Sequence, residues 1–241
     1  MKFAIIAAGE GSRLAKEGIT APKPLVEIKG EMLIDRLLRI FTDCCASEIA
    51  VICNDLTPYV SAHLADIEQN GLNGRRIPLR HIVKTTPSSM HSFYELSPLL
   101  DGEPFVMTTV DTIFREEEFR DYIRFFASSL DNGKADGVMG VTDFIDDEKP
   151  LYVRTNQDNR ITGFLDTDPA HECRYISGGI YGLSASAIDT LRRCMESGQS
   201  RMRNFQRGLV EDGRRLLAYP FTKVLDIDHA SDIAKAESLM G

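Results

Sequence analysis

The sequence predicts one α/β domain over residues 1–241, Rossmann-like and doubly wound, with a mostly parallel, mixed sheet. Three observations predict it. Strand-like and helix-like segments alternate as βαβαβαβα through the first half, the order of a parallel sheet with crossover helices. The strand-like runs are short and apolar, the texture of strands covered on both faces. No linker, low-complexity tract or internal repeat interrupts the 241 residues, a length that one large domain can fill with a substantial core.

The elements follow in order. "KFAIIAA" is a buried strand that stops at glycine. "MLIDRLLRIF" sets Leu33, Leu37, Ile40 and Phe41 on one helical face. "EIAVIC" is the second strand, and "TPYVSAHLADIEQNG" a helix with Thr57 ahead of a first-turn Pro58 and a closing glycine. "IPLRHIV" is a strand, "SMHSFYELSPLL" a helix and "PFVMTTV" a fourth strand, placed at the sheet centre. "EEEFRDYIRFFASSL" has an acidic first turn, with Phe119, Tyr122, Ile123 and Phe126 at helical spacing. The second half is more elaborate: a strand at "ADGVMGVT", two strands around the polar turn of "LYVRTNQDNRITGFL", and another at "RYISGGIYGLS". Helices over 185–197 and 202–212, strands "RLLAYPF" and "KVLDI", and a last helix "HASDIAKAESLM" complete the chain.

Apolar residues at 43% and charged residues at 27% place the chain among globular proteins rather than disordered ones. A formal net charge of −8 argues against non-specific binding to nucleic acid or to an anionic membrane surface, which needs a basic face. The five cysteines, Cys44, Cys45, Cys53, Cys173 and Cys194, are odd in number and include no C-x-x-C, which reads as reduced thiols in the cytoplasm. The opening apolar run ends in "GEGSR" and is read as a strand, not a signal peptide. No stretch approaches the roughly 20 apolar residues of a membrane span.

Chemistry concentrates first in "AAGEGSRL" at residues 7–14. A glycine turn leaving a strand aims backbone N–H groups at a ligand, most often phosphate. The loop is not a Walker A motif, since Gly11-Ser12-Arg13 replaces G-K-[ST]; nor is it a dinucleotide fingerprint, since Leu14 stands where the last glycine belongs. Arg13 and Lys23 add two cations, and Pro22 and Pro24 stiffen the segment that carries Lys23.

With "APKPLVEIKGEMLIDRLL", this stretch resembles the nucleoside triphosphate transferases that make nucleotide sugars and related activated head groups. Their pattern is A-A-G-x-G-[ST]-R-[LM], then P-K-[PA]-[LM], then a glycine and a helix. The resemblance implies the nucleotide-diphospho-sugar transferase type of fold, with about 1–130 binding the nucleotide and about 131–241 the acceptor. It implies that the loop of Ala8, Gly9, Gly11 and Ser12 holds the triphosphate and base, and that Arg13 and Lys23 assist attack on the α-phosphorus.

"MTTVDTIF" places Asp111 at the carboxyl end of a central strand, where open α/β sheets bind ligands and where a carboxylate suits Mg²⁺ or caps a turn. The resemblance puts its first metal aspartate there. In "KVLDIDHASDIAKAE", Asp226 and Asp228 are read along one strand with only one expected to reach the site. The family ending resembles D-[IV]-[DG]-T-P-x-D-L and uses either position for a second Mg²⁺ ligand; Asp226 is favoured here, and Asp232 is read as structural in a first helical turn. His229-Ala230 replaces the family's Thr-Pro. In "VKTTPSSMHSFYEL", Ser88 and Ser89 read as helix caps or, by the resemblance, as base or ribose contacts, although the family's usual glycine is missing.

For the acceptor, "SGGIYGL" resembles the family strand that carries a glycine beside the head group, making Gly178 and Gly179 candidates against plain close packing. Lys223 is a candidate contact for the acceptor phosphate or a surface lysine. Glu148-Lys149-Pro150 repeats a family "EKP", but ahead of the hairpin instead of after it, and reads as a solvated turn. "HEC" at 171–173 is not a metal site, because adjacent residues cannot share one tetrahedral ion.

The expected activity is transfer of a nucleotidyl group from a nucleoside triphosphate to a phosphorylated small molecule, with pyrophosphate released. A sugar 1-phosphate is the first choice of acceptor and phosphocholine or a similar phospho-alcohol the alternative. A glycosyltransferase using a finished nucleotide sugar and a non-catalytic nucleotide-binding module are the rivals from other classes. Expected partners are these small molecules, with no nucleic acid or membrane; the sequence leaves room for a homo-oligomer.

Overall fold

Strand β1 (Lys2–Ala7) is apolar from Phe3 onward because it feeds two cores. Phe3, Ile5 and Ala7 enter one, and Ala4 and Ile6 the other. Alternation along a strand sends neighbours to opposite faces, so a strand sandwiched between helices has no polar side. The computed structural model describes residues 1–146 and 149–240.

After β1 come α1 (Ser12–Lys16), a 3₁₀ turn (Lys23–Leu25), the small hairpin of β2 (Glu27–Ile28) and β3 (Glu31–Met32), and α2 (Leu33–Asp43). Then follow β4 (Glu48–Cys53), α3 (Pro58–Asn70), β5 (Leu79–Val83), α4 (Ser89–Leu100), β6 (Phe105–Thr109), β7 (Thr112–Ile113) and α5 (Glu116–Asp131). The second half contains β8 (Gly137–Thr142), the hairpin of β9 (Tyr152–Thr155) and β10 (Ile161–Leu165), and β11 (Tyr175–Leu183). It closes with α6 (Ala187–Glu196), α7 (Met202–Glu211), β12 (Leu216–Phe221), β13 (Leu225–Asp226) and α8 (Ala230–Leu239).

Among the described residues nine strands form one sheet. Its main path runs β5-β4-β1-β6-β11-β8-β12, and the β9–β10 hairpin pairs with the first residues of β11. β5, β4, β1 and β6 are mutually parallel, β11 is antiparallel to both neighbours, and β12 is parallel to β8. This is the doubly wound, mostly parallel mixed sheet the sequence predicts.

Helices α2, α3, α5 and α8 cover one face and α4, α6 and α7 the other. Stacked rings bind α5 to its face: Phe114 and Phe119 lie 4.6 Å apart, and Phe41 and Phe119 5.6 Å. Each buried aromatic or aliphatic side chain contributes roughly 1.5–3 kcal/mol by leaving water. The short β13 pairs with β7 and so carries the C-terminal segment back to the carboxyl edge of β6. Loops after β1, β4 and β6 meet at that edge, the crevice where open α/β sheets bind ligands.

Candidate active site

The chain leaves β1 through Ala8–Gly11. Gly11 takes φ +63°, and a Cβ there would lie 3.2 Å from Lys23 Cβ, so both backbone conformation and space call for glycine. The next turn is tied down by Leu25 N–H donating to Pro22 C=O at 2.8 Å and Val26 N–H donating to Lys23 C=O at 3.1 Å. Asn54, 2% exposed after β4, donates its amide to the carbonyls of Ala8 (3.2 Å) and Gly9 (3.4 Å). Its Oδ1 accepts from the N–H groups of Leu56 and Thr57 and from the Thr57 hydroxyl. One buried amide thus joins the glycine loop to the start of α3.

Lys23 Nζ is 2.7 Å from Asp111 Oδ2 and 2.8 Å from Asp228 Oδ1, and its side chain is only 10% exposed. Arg13 Nη1 reaches the other oxygen, Asp228 Oδ2, at 2.8 Å from the solvent side. Burial alone would lower the Lys23 ammonium, but Asp111 and Asp228 hold it above its ordinary value. Asp226 is exposed to solvent where it lines the second of two cavities. Desolvation by the protein around its carboxyl, followed by the Asp111 and Asp228 carboxylates, holds it above its ordinary value. Three carboxylates and two cations from four separate segments therefore share one small volume.

Two cavities meet this cluster. One, about 330 Å³, is lined by Ala8, Gly9, Gly11, Lys23 and Asp111 and by Ser88 and Ser89. The other, about 310 Å³, is lined by Arg13, Asp226 and Asp228 together with Gly178 and residues of 142–149 and 224–235.

The structure places several residues differently from the sequence reading. Asp226 and Asp228 both line the second cavity. Residues two apart on a strand share a face, and β13 ends at Asp226, so nothing directs one of them away. Ser12 is exposed at the first position of α1 and lines neither cavity. Gly179 is not in the wall: with φ +68° it forms the bulge where β11 shifts register against β8 between Ser177 and Ile180. Lys223 lies outside the lining too, its ammonium 4.0 Å from the centre of the Phe144 ring. Lys149 is no bystander, since it lines the second cavity; Glu148 lies outside the described residues.

Other residues lie where the sequence reading places them. Ser88 caps α4, its Oγ accepting from His91 N–H at 3.4 Å, and it faces the first cavity as well. Gly178 both lines the second cavity and packs closely, since a Cβ there would come within 3.1 Å of Gly140 C=O. Asp232 accepts from the N–H groups of Asp228 (3.2 Å) and His229 (2.8 Å) in the first turn of α8. All five cysteines are free.

The sequence reading missed Asn54 and most of the second cavity: Thr142, Phe144, Ser177 and Lys235 line it. Asn54 could have been found as the polar residue that ends an apolar strand. The others carry no local signal. For a metal, Asp111, Asp226 and Asp228 are hard oxygen donors, and the Lys23 ammonium between Asp111 and Asp228 shows that a cation fits among them. Among the described residues no three His, Cys, Asp or Glu side chains form a ready metal cage.

Residues 3–212 match the family model of the MobA-like NTP transferase domain. The chain belongs to this family. The match ends before the Asp226–Asp228 segment, so the family likeness covers the glycine loop and Asp111 but not the last two carboxylates. The MobA-like chain is 24% identical over 195 residues to the mannose-1-phosphate guanylyltransferase catalytic subunit beta of Dictyostelium discoideum. That alignment covers 80% of this chain and 52% of the relative, so the chain spans about half the length of that curated protein. Among solved structures it is similar to the inositol-1-phosphate CTP transferase of T. maritima, with a TM-score of 0.75, 17% identity, and 99% of this chain and 95% of that one covered. It is also similar to a protein assigned as a glucose-1-phosphate thymidylyltransferase from Bacillus anthracis, in complex with sucrose. There the TM-score is 0.80 at 17% identity, covering 99% and 94% of the two chains. At such identity these likenesses establish the fold.

Proposed function

We propose that this chain transfers a nucleotidyl group from a nucleoside triphosphate to a phosphorylated small molecule, first among them a sugar 1-phosphate, and releases pyrophosphate. One observation carries the reading: the ion-paired Lys23, Arg13, Asp111 and Asp228, with Asp226 beside them, sit where two cavities of similar size meet. The nucleotide takes the cavity behind the glycine loop, against Ala8, Gly9, Gly11, Ser88 and Ser89. The acceptor takes the cavity walled by Gly178 and the 224–235 segment. This assigns about 1–130 to the nucleotide and about 131–241 to the acceptor, supported by which residues line each space.

A phosphate oxygen of the acceptor attacks the α-phosphorus; the new O–P bond forms as the bond from α-phosphorus to the bridging oxygen breaks, and pyrophosphate leaves with the electron pair. The attacking oxygen is already ionised, so no general base is needed. Lys23 neutralises charge between the two substrates from a partly desolvated position, where its field is less screened than in water. Arg13 takes phosphate oxygens from the solvent side with its fork of donors. Asp111 with Asp226 would hold Mg²⁺, and Asp228 lies close enough to compete for that role. When bound, the ion would supply charge neutralisation and alignment of phosphate oxygens for in-line displacement. The free cysteines support a reducing, cytoplasmic setting.

The test is pyrophosphate release with Mg²⁺, crossing CTP, UTP, GTP, ATP and dTTP with a panel of sugar 1-phosphates, inositol 1-phosphate and phosphocholine. The expected result is release that requires both a triphosphate and an acceptor and disappears in Asp111→Ala. Hydrolysis of finished nucleotide sugars without such release would overturn the reading.

A further inference from the structure

Just beyond α1, Glu17 closes its turn: Glu17 N–H donates to Arg13 C=O at 3.2 Å and to Leu14 C=O at 3.1 Å. Arg13 and Glu17 are therefore one helical turn apart and rigidly related. From this turn both side chains reach the same distant segment. Arg13 pairs with Asp228, while Glu17 takes the next two residues, its Oε1 2.6 Å from His229 Nδ1 and its Oε2 accepting from Ala230 N–H at 2.7 Å. Asp232 already accepts from the N–H groups of Asp228 and His229. Three consecutive N–H groups at the start of α8 are thus held by two carboxylates, one inside the segment and one from across the cleft.

We propose that Glu17 is a positioning residue: by clasping His229 and Ala230 it sets the Asp228 carboxylate against Arg13 and Lys23, and so fixes the wall between the two cavities. The clasp depends on this chain's own residues. A proline at position 230, as in the pattern the segment resembles, would have no N–H for Glu17, and a threonine at 229 would have no ring. The role rests on the nucleotidyl-transfer reading. Glu17 lines neither cavity, so it acts through the segment it holds rather than on a substrate.

The experiment compares wild type, Glu17→Ala, Glu17→Gln and the pair His229→Thr/Ala230→Pro with and without Glu17→Ala, in turnover and in amide hydrogen exchange. Glu17→Ala is expected to lower kcat about tenfold, the scale of a small misplacement of a charged group, with the triphosphate KM within about twofold. Glu17→Gln, which can still accept from Ala230 and bond the imidazole, is expected to restore most of the rate. In the paired background, where proline is compatible with the first helical position, Glu17→Ala should cost nothing further. Exchange should quicken at Ala230 in Glu17→Ala while melting temperature barely moves, as expected for an exposed ion pair. Wild-type turnover with an unchanged Glu17→Ala kcat, or losses that add in the combined variant, would overturn the positioning role alone. An inactive wild type would sink the nucleotidyl reading and this role with it.

Discussion

The two cavities are nearly equal in volume, yet they are built in opposite ways. The one behind the glycine loop is lined by short segments at 6–11, 86–92 and 109–111, with Lys23 alone added, and small residues predominate. Its shape comes from backbone: Gly11 at positive φ, the prolines around Lys23, and carbonyls pinned by Asn54. The other draws on segments from Arg13 to Lys235 and is walled by long side chains whose positions depend on partners. Lys235, for example, is 2.7 Å from Asp146 and 3.1 Å from Asp232. A ligand common to a family suits the first construction, and a ligand that varies within it suits the second, because side-chain walls change without disturbing the sheet.

Variants can break or sharpen this contrast. The largest effect is expected where the cavities meet. Lys23→Ala removes the cation nearest both and leaves Asp111 and Asp228 facing Asp226 unneutralised, so turnover should fall on the order of 10²–10³-fold in single-turnover pyrophosphate release. A fall confined to one substrate's KM would show that the cluster serves only one cavity.

Next comes the metal. Asp226→Asn should raise the half-saturating Mg²⁺ concentration at least about tenfold, and Asp228→Asn by less. The opposite ranking would move the second ligand to Asp228.

The contrast itself is tested by a pair of milder changes. Gly11→Ala forces a positive φ on an L-residue and crowds Lys23, so triphosphate KM should rise about tenfold and stability fall by about 1–2 kcal/mol. Ser177→Ala removes a hydroxyl from the wall of the second cavity and, with the acceptor bound there as proposed, should raise only the acceptor KM, about fivefold, the worth of roughly one hydrogen bond. Initial-rate kinetics with each substrate varied would separate them, and a shared effect would erase the distinction.

The smallest effect lies outside both cavities. His63 Nε2 is 2.7 Å from Asp35 Oδ1, a hydrogen bond that raises the imidazole above 6.5 although burial opposes it. A raised histidine contributes stability that is full below its unfolded value and lost as pH rises through its folded one. His63→Gln should therefore cost more at about pH 5 than at about pH 9, by under about 1 kcal/mol given partial exposure, with turnover unaffected. Denaturant unfolding at the two pH values measures it.

Much of this molecule is legible in its sequence. Alternating apolar runs and helical faces yielded the doubly wound sheet, because strands between two helical layers must be apolar on both sides. "AAGEGSRL" and "PKP" mark a candidate anion site through glycine and cation chemistry that is local to the chain. Asp111 was legible as a carboxylate ending a central strand. Asp226 and Asp228 were found as candidates, but their sharing of one cavity depended on β13 pairing with β7, a contact more than 100 residues long in sequence.

The sequence by itself determined which groups could grip a triphosphate, since backbone turns and fixed charges act within a few residues of where they are written. Only the tertiary structure decided what faces them. Ser177, Phe144 and Lys235 became one wall, and Glu17 met His229, because packing on the sheet brings distant segments together. No spacing in the chain records that packing, which is a property of the whole core.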